Sequence, residues 1–405
     1  MSKKDYIPRD IYLEKVKPFI GQQLIKVFTG QRRTGKSFVM LQTADYISSN
    51  NRNAKIIYID KELFEFSDIV DAHTLNLYVE KNLDANADNF LFIDEVQEIE
   101  HFELCLRSLL NQNKCDIYCS GSNAKILSGE LATHLGGRYI EFKINVLTFR
   151  EYITFNNLNP TKESLKEYLT FGGMPYLTHI AKDKDLAYEY LKNVYSTILL
   201  HDVVARQSIR NIPFLESLVA FLADNVGNLF SAQNISNYLK SQNIKIAVTT
   251  VQDYLSALCN AFIIHKVQRI NIQGFKIFEI NDKYYFEDLG IRNALRGYTF
   301  VNDINKLMEN IVYQELISRG YEVYVGQVGK KEVDFVAVKN GGRIYVQVAY
   351  LLGDESVVER EFGNLAAIKD NFPKYVVSMD DFPVGGNRHK GIIHQNLLEF
   401  LLNQR

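Results

Sequence analysis

Eight residues, Gly30-Gln31-Arg32-Arg33-Thr34-Gly35-Lys36-Ser37, constrain this chain more than any others. The residues before them, Ile25 to Thr29, favour an extended strand, and the SFVMLQTADYI that follows has the pattern of a helix. Strand, glycine-rich turn and helix in that order are the context in which G-x-x-x-x-G-K-[ST] forms a phosphate-binding loop. A glycine turn merely capped by Ser37 does not account for that order. Gly30 and Gly35 let backbone N–H groups turn inward where a β-carbon would obstruct the path. Lys36 is expected to reach the β- and γ-phosphates, and the Ser37 hydroxyl to bind Mg²⁺. The helix N-terminus adds a dipole favourable to anions. Gln31, Arg32, Arg33 and Thr34 occupy the variable positions of the loop, where the two arginines either stabilise it or touch nucleotide. The expected cofactors are ATP and Mg²⁺.

A second pattern belongs with the first. In NFLFIDEVQEI an apolar strand, Phe90 to Ile93, ends in Asp94 and Glu95. A buried strand that delivers carboxylates at its C-terminal end can hold a magnesium shell through Asp94 and polarise the attacking water through Glu95. Having both favours hydrolysis over passive nucleotide binding. Two further strands, KIIYID and the one in CDIYCSGSNAKIL, complete an α/β sheet. The second places Ser120, Ser122 and Asn123 just beyond it. Asn123 can sense the γ-phosphate or place water there, or Ser122 and Asn123 can simply cap the next helix. Arg138, after two glycines in HLGGRYIEF, is a candidate to neutralise charge developing in phosphoryl transfer, in cis or from a neighbouring subunit. A surface arginine is the plainer alternative.

The segments GQRRTGKS, LFIDEVQEI, CSGSNAKILSGELATHLGGRYIEF, LTFREY and FGGMPYL occur in an order that resembles a prokaryotic family of AAA-type ATPases. In that family the ATPase module precedes a C-terminal domain of unknown function. The resemblance runs from about residue 16 to beyond residue 350. It implies a RecA/AAA-like parallel sheet with a small helical lid. It carries Lys36 and Ser37 to the phosphate-loop roles, Asp94 and Glu95 to the metal and water roles, and Ser122 or Asn123 to the sensor region. It names no substrate.

Four regions are expected: an ATPase core over 1–150, a helical lid or linker over 151–210, a third region over 211–300 and a fourth over 301–405, with Asn211, Ile212 and Pro213 at one boundary. The third region resembles a winged helix, with a short helix near Ile235 to Leu239 and a candidate recognition helix from Thr249 to Leu258. Val251, Tyr254, Leu255 and Leu258 can face the core there, and FIIHKVQRI and KIFEI would pair as strands. The recognition helix carries Asp253 and neither lysine nor arginine, and Lys240, Lys245 and Lys266 nearby form no dense patch. A protein-docking role is therefore favoured over reading DNA.

The fourth region, a helix from Leu307, a strand, and a hairpin turning at Asn340, Gly341 and Gly342, resembles the restriction-endonuclease-like fold. By that resemblance Glu309 and Asp334 stand at carboxylate positions. Gln347, able to offer only a neutral oxygen, stands at the third. Ala349 or Tyr350 falls where a lysine belongs, and neither can supply its charge. A weak metal site on Glu309 and Asp334 is possible in principle, but a non-cleaving docking module is the expectation.

At 405 residues and 46% apolar content the chain is long enough for several ordinary globular domains, and a net charge of −2 gives no overall attraction to nucleic acid or anionic membranes. The four cysteines, Cys105, Cys115, Cys119 and Cys259, form no CxxC pair and fit a reducing, cytoplasmic setting; no run of 18 apolar residues marks a membrane span. The eight histidines never take metal-ligand spacing, and His201 with Asp202 reads as a local surface pair. The 24 tyrosines and 25 phenylalanines are spread through apolar patterns and fit core packing rather than base stacking. The whole reads as a Mg²⁺-dependent ATPase acting as a switch or motor, possible as a homo-oligomer, on a protein partner more readily than on DNA. A non-hydrolysing ATP-binding scaffold and an ATP-regulated nuclease are the alternatives.

Overall fold

The computed structural model describes residues 6–124, 136–180, 183–207, 209–241, 246–278, 281–297, 299–381, 388–389 and 391–403. Lys245, considered above as part of a basic patch, lies outside them. The chain forms two compact units: Met1–Val146 with Asn260–Phe262, and Leu147–Cys259 with Ile263–Arg405.

The first unit is built on five parallel strands, β1 (Ile25–Thr29), β2 (Ala54–Asp60), β3 (Asp88–Asp94), β4 (Asp116–Gly121) and β5 (Tyr139–Lys143). Their order across the sheet is β2-β3-β4-β1-β5, so β4 lies between the strand that ends in the glycine loop and the strand that ends in the paired acids. Helices α1 (Asp10–Val16), α2 (Lys36–Asn50), α3 (Ala72–Asn82) and α4 (Phe102–Gln112) flank it. All five β1 residues are buried, as a parallel strand covered on both faces requires. On one face Val27, Ile59, Leu91, Ile93, Leu106 and Cys119 form a continuous core. On the other, Tyr58 stacks near Phe92 at 5.9 Å and Phe92 on Tyr118 at 4.4 Å, an aromatic row across β2, β3 and β4. Cys105, Cys115 and Cys119 are thiols, and burial pushes them up to about 12.

The second unit begins with helices 149–155, 162–171 and 184–197. The FGG of FGGMPYL ends the second of these. A β-carbon on Gly172 would lie 2.4 Å from the Gly290 amide nitrogen, and one on Gly290 would lie 1.9 Å from the Phe171 carbonyl oxygen. The two backbones meet where only glycine fits. Asp288 sits in the same contact and accepts hydrogen bonds from the N–H groups of Gly173 and Ile291, both at 2.8 Å. Burial pushes its carboxyl up to about 6. Asn211 and Pro213 begin the helix Ile212–Asp224, with the Asn211 side chain accepting the Phe214 N–H. Asp202 is buried and faces both His201 and Arg206 at 3.7 Å, so it is more than one half of a surface pair.

Helices Ala232–Ser241 and Val248–Asn260 follow, with Ile235, Leu239, Val251, Tyr254, Leu255 and Leu258 buried as their spacing requires. The strands after them depart from expectation. FIIHKVQRI breaks into β6 (Ile264–Val267) and β7 (Arg269–Asn271), and only β7 pairs with KIFEI, as β8 (Lys276–Ile277). β6 instead pairs antiparallel with β9 (Lys283–Phe286). β7 and β8 join β10 (Glu322–Val328), β11 (Lys331–Lys339), β12 (Gly342–Val348), β13 (Lys374–Ser378), β14 (Arg388–His389) and β15 (Ile392–Asn396) in one eight-stranded mixed sheet, ordered β14-β15-β13-β12-β11-β10-β7-β8. The open backbone edge of β10 recruits β7 in parallel, which a local reading of hairpins cannot foresee. The β11–β12 turn is the expected one, with Asn340 at φ +51° and Gly341 at φ +76°.

Candidate functional site

β1 leads straight into the octet, and α2 begins at Lys36. Gly30 has φ +144°, and a β-carbon there would lie 2.2 Å from the Ile144 carbonyl oxygen, so no other residue can pass. Gly35 has φ +95°, which lets the chain turn into the helix. Arg33 also takes a left-handed backbone, at φ +72°, and is exposed; Arg32 lies 3.8 Å from Glu62. Thr34 is fully buried and its hydroxyl donates to the Gln31 carbonyl at 2.9 Å.

Lys36 is buried beneath the loop. Its ammonium donates to the carbonyls of Gly30 at 3.2 Å and Gln31 at 3.1 Å and stands 3.9 Å from a Glu95 oxygen. Asp94 accepts hydrogen bonds from the hydroxyls of both Ser120 and Ser37. Burial raises its carboxyl above the usual range, and those two hydrogen bonds offset part of the rise. Glu95 is held in a left-handed conformation at φ +54°, its N–H donating to Ser120 Oγ at 3.0 Å and its carboxylate accepting from Gln97. A non-glycine residue with that backbone carries strain that surrounding contacts must hold. β4 is what brings the parts together: Thr29 pairs with Gly121 and Ile93 with Cys119, so Ser120, Ser122 and Asn123 emerge between the loop and the acids. Ser122 and Asn123 are buried there.

The expected residues thus converge at the carboxyl edge of the sheet, with one exception. Arg138 precedes β5, and Tyr139 pairs with Ile25, at the opposite end of β1 from Gly30. Five residues of strand separate the two ends by roughly 16 Å, and the Arg138 guanidinium donates to Asn111 at 2.6 Å. A role for Arg138 at the loop of its own chain is excluded by the direction of the parallel strands.

Arg9 was not foreseen. It is buried, and one guanidinium nitrogen donates to the carbonyls of Thr34 at 2.9 Å and Asn145 at 3.0 Å. Its plane lies 4.6 Å from the Tyr12 ring centroid. It ties the octet to the segment after β5. A lone arginine ahead of an amphipathic helix gives no pattern by which to find it.

The residues present fit a triphosphate and Mg²⁺. The loop excludes side-chain atoms at Gly30, a lysine rests on exchangeable carbonyls, and hydroxyl and carboxylate meet at Ser37 and Asp94. Among the described residues no set of three His, Cys, Asp or Glu side chains forms a metal cage, so a cation here would lean on phosphate oxygens as well as on the protein.

A model of an AAA domain matches residues 22–153, and a model of a domain of unknown function matches residues 162–302. An uncharacterized protein of Haemophilus influenzae is 35% identical over 381 residues, spanning 93% of this chain and 94% of the relative. The chain belongs to this prokaryotic AAA-type ATPase family. An uncharacterized protein of Methanocaldococcus jannaschii is 30% identical over 392 residues, covering 91% of this chain and 83% of that protein. Among solved structures, a Walker-type ATPase of Pyrococcus abyssi is similar with a TM-score of 0.50 at 15% identity, over 72% of this chain and 97% of that one. At that identity the likeness is one of fold, an α/β architecture with the parallel sheet of P-loop ATPases. Among the described residues, no helix of this family member is long and apolar enough to cross a membrane.

In the second unit, Glu309, Asp334 and Gln347 also come together. The Asp334 N–H donates to Gln347 Oε1 at 3.3 Å, and Asp334 Oδ2 accepts the Val348 N–H at 2.9 Å. The Gln347 oxygen is therefore turned to the backbone rather than offered to a ligand. Ala349 and Tyr350 supply no cation, as expected. A cation is nonetheless present: Lys283, on β9, lies 2.7 Å from Glu309, 2.8 Å from Glu332 and 3.5 Å from Asp334. It comes from outside the hairpin, brought beside the carboxylates by tertiary pairing, where the hairpin sequence alone gives no sign of it.

Proposed function

We propose that this protein is a Mg²⁺-dependent ATPase whose nucleotide state acts as a switch on a protein partner. The observation that carries this reading is the meeting of Lys36, Glu95, Ser37 and Asp94 at the end of β1 and β3. The N–H groups of Gly30, Gln31, Arg32, Arg33, Thr34 and Gly35 would surround the phosphates, and Lys36 would exchange its two carbonyl acceptors for β- and γ-phosphate oxygens. Ser37 and Asp94 would hold Mg²⁺. When bound, the metal neutralises phosphate charge and draws the triphosphate into one geometry. Glu95 would orient the attacking water and take its proton. Asn123 would sense the γ-phosphate from the end of β4. Arg138 would serve only from a second copy, which makes a homo-oligomer part of the reading.

Four regions, divided near residues 150, 210 and 300, remain our proposal for the domain plan. The two helices 232–241 and 248–260 support a winged-helix-like third region, and the mixed sheet with helix 300–318 supports a restriction-endonuclease-like fourth. The absence of lysine and arginine from helix 248–260 favours protein docking over DNA. Reduced Cys105, Cys115 and Cys119 fit a cytoplasmic setting. Phosphate release at saturating ATP and Mg²⁺ tests the enzymatic part. Binding without turnover would make the protein a nucleotide-sensing scaffold, and salt-dependent binding to duplex DNA would redirect the choice of partner.

A further inference from the structure

The second unit contains an ion cluster around a buried lysine, unrelated to the nucleotide site. Lys283 opens β9, which is fixed on two sides. Its pairing with β6 sets Lys283 opposite Val267 and Phe286 opposite Ile264. Helix 300–318 grips it from the other side. Asn310 accepts the Phe286 N–H at 2.8 Å and donates to the Phe286 carbonyl at 2.9 Å, and Gln314 donates to the Glu287 carbonyl at 2.6 Å. Tyr285 adds its hydroxyl to Glu309 at 2.5 Å. The Lys283 side chain is 3% exposed and has nowhere to swing.

The carboxylates come from two further elements. Glu309 lies on helix 300–318, and Glu332 and Asp334 lie on β11. As arranged around the Lys283 ammonium, these three are not placed to hold a metal ion. They converge on the Lys283 ammonium, with Glu309 and Glu332 at hydrogen-bond distance. A β-carbon on Gly227 would lie 2.8 Å from Glu309 Oε2, so the backbone closes over that side of the cluster as well. Burial alone would lower the lysine's pKa; the carboxylates, Glu309 foremost, outweigh it and hold Lys283 charged.

We propose that the Lys283 ammonium stands where a divalent cation would bind among Glu309, Glu332 and Asp334, making this a metal-free cluster that clamps β9 to the C-terminal sheet and does not cleave phosphodiesters. Two close contacts from Glu309 and Glu332 and a longer one at 3.5 Å from Asp334 hold the ammonium, which has no open coordination position for a phosphate and cannot lower the pKa of a bound water. The cluster then serves as an internal tie between segments distant in sequence. This inference stands independently of the nucleotide site.

The test is Mn²⁺ binding to nucleotide-free, full-length protein, read by electron paramagnetic resonance and by thermal melting. Wild type and D334N should bind equal amounts, because the cluster takes none. K283M should gain one Mn²⁺ that K283M/D334N loses. At ten times its Kd, Mn²⁺ should raise the K283M melting temperature by about 2 °C. Mn²⁺ uptake by wild type that D334N abolishes overturns the proposal, as does a folded K283M that gains nothing. Should K283M not fold, K283R, which keeps the cation, is expected to fold and take no extra Mn²⁺; uptake there overturns it equally. Plasmid nicking by wild type in Mn²⁺, abolished by D334A, would make Lys283 part of a working nuclease and end the reading of a clamp.

Discussion

Lys36 and Lys283 are both buried lysines facing acidic side chains, yet their surroundings differ in kind. Lys36 rests on two neutral carbonyls and stands 3.9 Å from Glu95. Lys283 is held by three carboxylates, with its nearest oxygen at 2.7 Å. Carbonyl acceptors are matched by the oxygens of an arriving phosphate, so a lysine held this way can change partners at little cost. Exchanging the partly buried Glu309 and Asp334 away from their cation would strand buried charge, although Glu332 is partly open to solvent. The first environment suits a site that takes and releases an anion, the second a permanent tie. Chemical identity is the same; the acceptor type decides the role.

The contrast can be broken or sharpened by substitution. Replacing Lys36 by Ala should have the largest effect on activity, lowering Mg²⁺-dependent phosphate release by at least about 10²–10³-fold, with the protein still folded. Unaltered turnover would remove Lys36 from the site. Glu95→Gln should slow hydrolysis by about 10²-fold or more while ATP binding persists, measured by single-turnover release beside nucleotide titration; equal rates would strip Glu95 of its water-orienting role. Lys283→Met should reverse the pattern seen at Lys36. Denaturant unfolding should show a loss of about 3–5 kcal/mol, as when one partner of a buried pair is removed, with ATP turnover retained in the protein that remains folded. A loss below about 1 kcal/mol would place the cluster among weak surface-type pairs.

Asp288 sharpens the comparison from the acid side, since its hydrogen bonds come from backbone N–H groups. Its carboxyl rises from 3.8 to about 6 on folding, so the native state binds the extra proton. Stability from this group is therefore fully present below pH 4, falls as pH rises toward 6, and is lost above it, by about 3 kcal/mol in all. The wild-type minus D288N stability difference should decline across that window and flatten beyond it; a flat difference from pH 4 to 7 would contradict the assignment. The smallest effect is expected for Arg9→Ala, which should cost about 1–3 kcal/mol through unpaired carbonyls at Thr34 and Asn145 and weaken ATP binding, read by titration. Tight binding with intact stability would show that the octet needs no brace.

Much of the first unit was legible because its signals are local. The octet, the strand before it and the helix after it are contiguous, and Asp94 and Glu95 end an apolar run that reads as a covered strand beside such a loop. Helices 232–241 and 248–260 followed their apolar spacing for the same reason. What could not be read was pairing between distant segments. Arg138 looked able to serve its own loop until the parallel register of β5 with β1 put it at the far end. β7 joined a sheet edge whose other strands begin fifty residues later.

The amino-acid order by itself determined that a phosphate loop and two carboxylates would lie on an α/β sheet, because backbone periodicity and glycine conformation act over a few residues. Only the tertiary structure decided which strand would stand between them, that Arg9 would lock the loop, and that Lys283 would stand among Glu309, Glu332 and Asp334. Those outcomes depend on strand order and on which buried charges meet, and both are set by the packing of the whole unit.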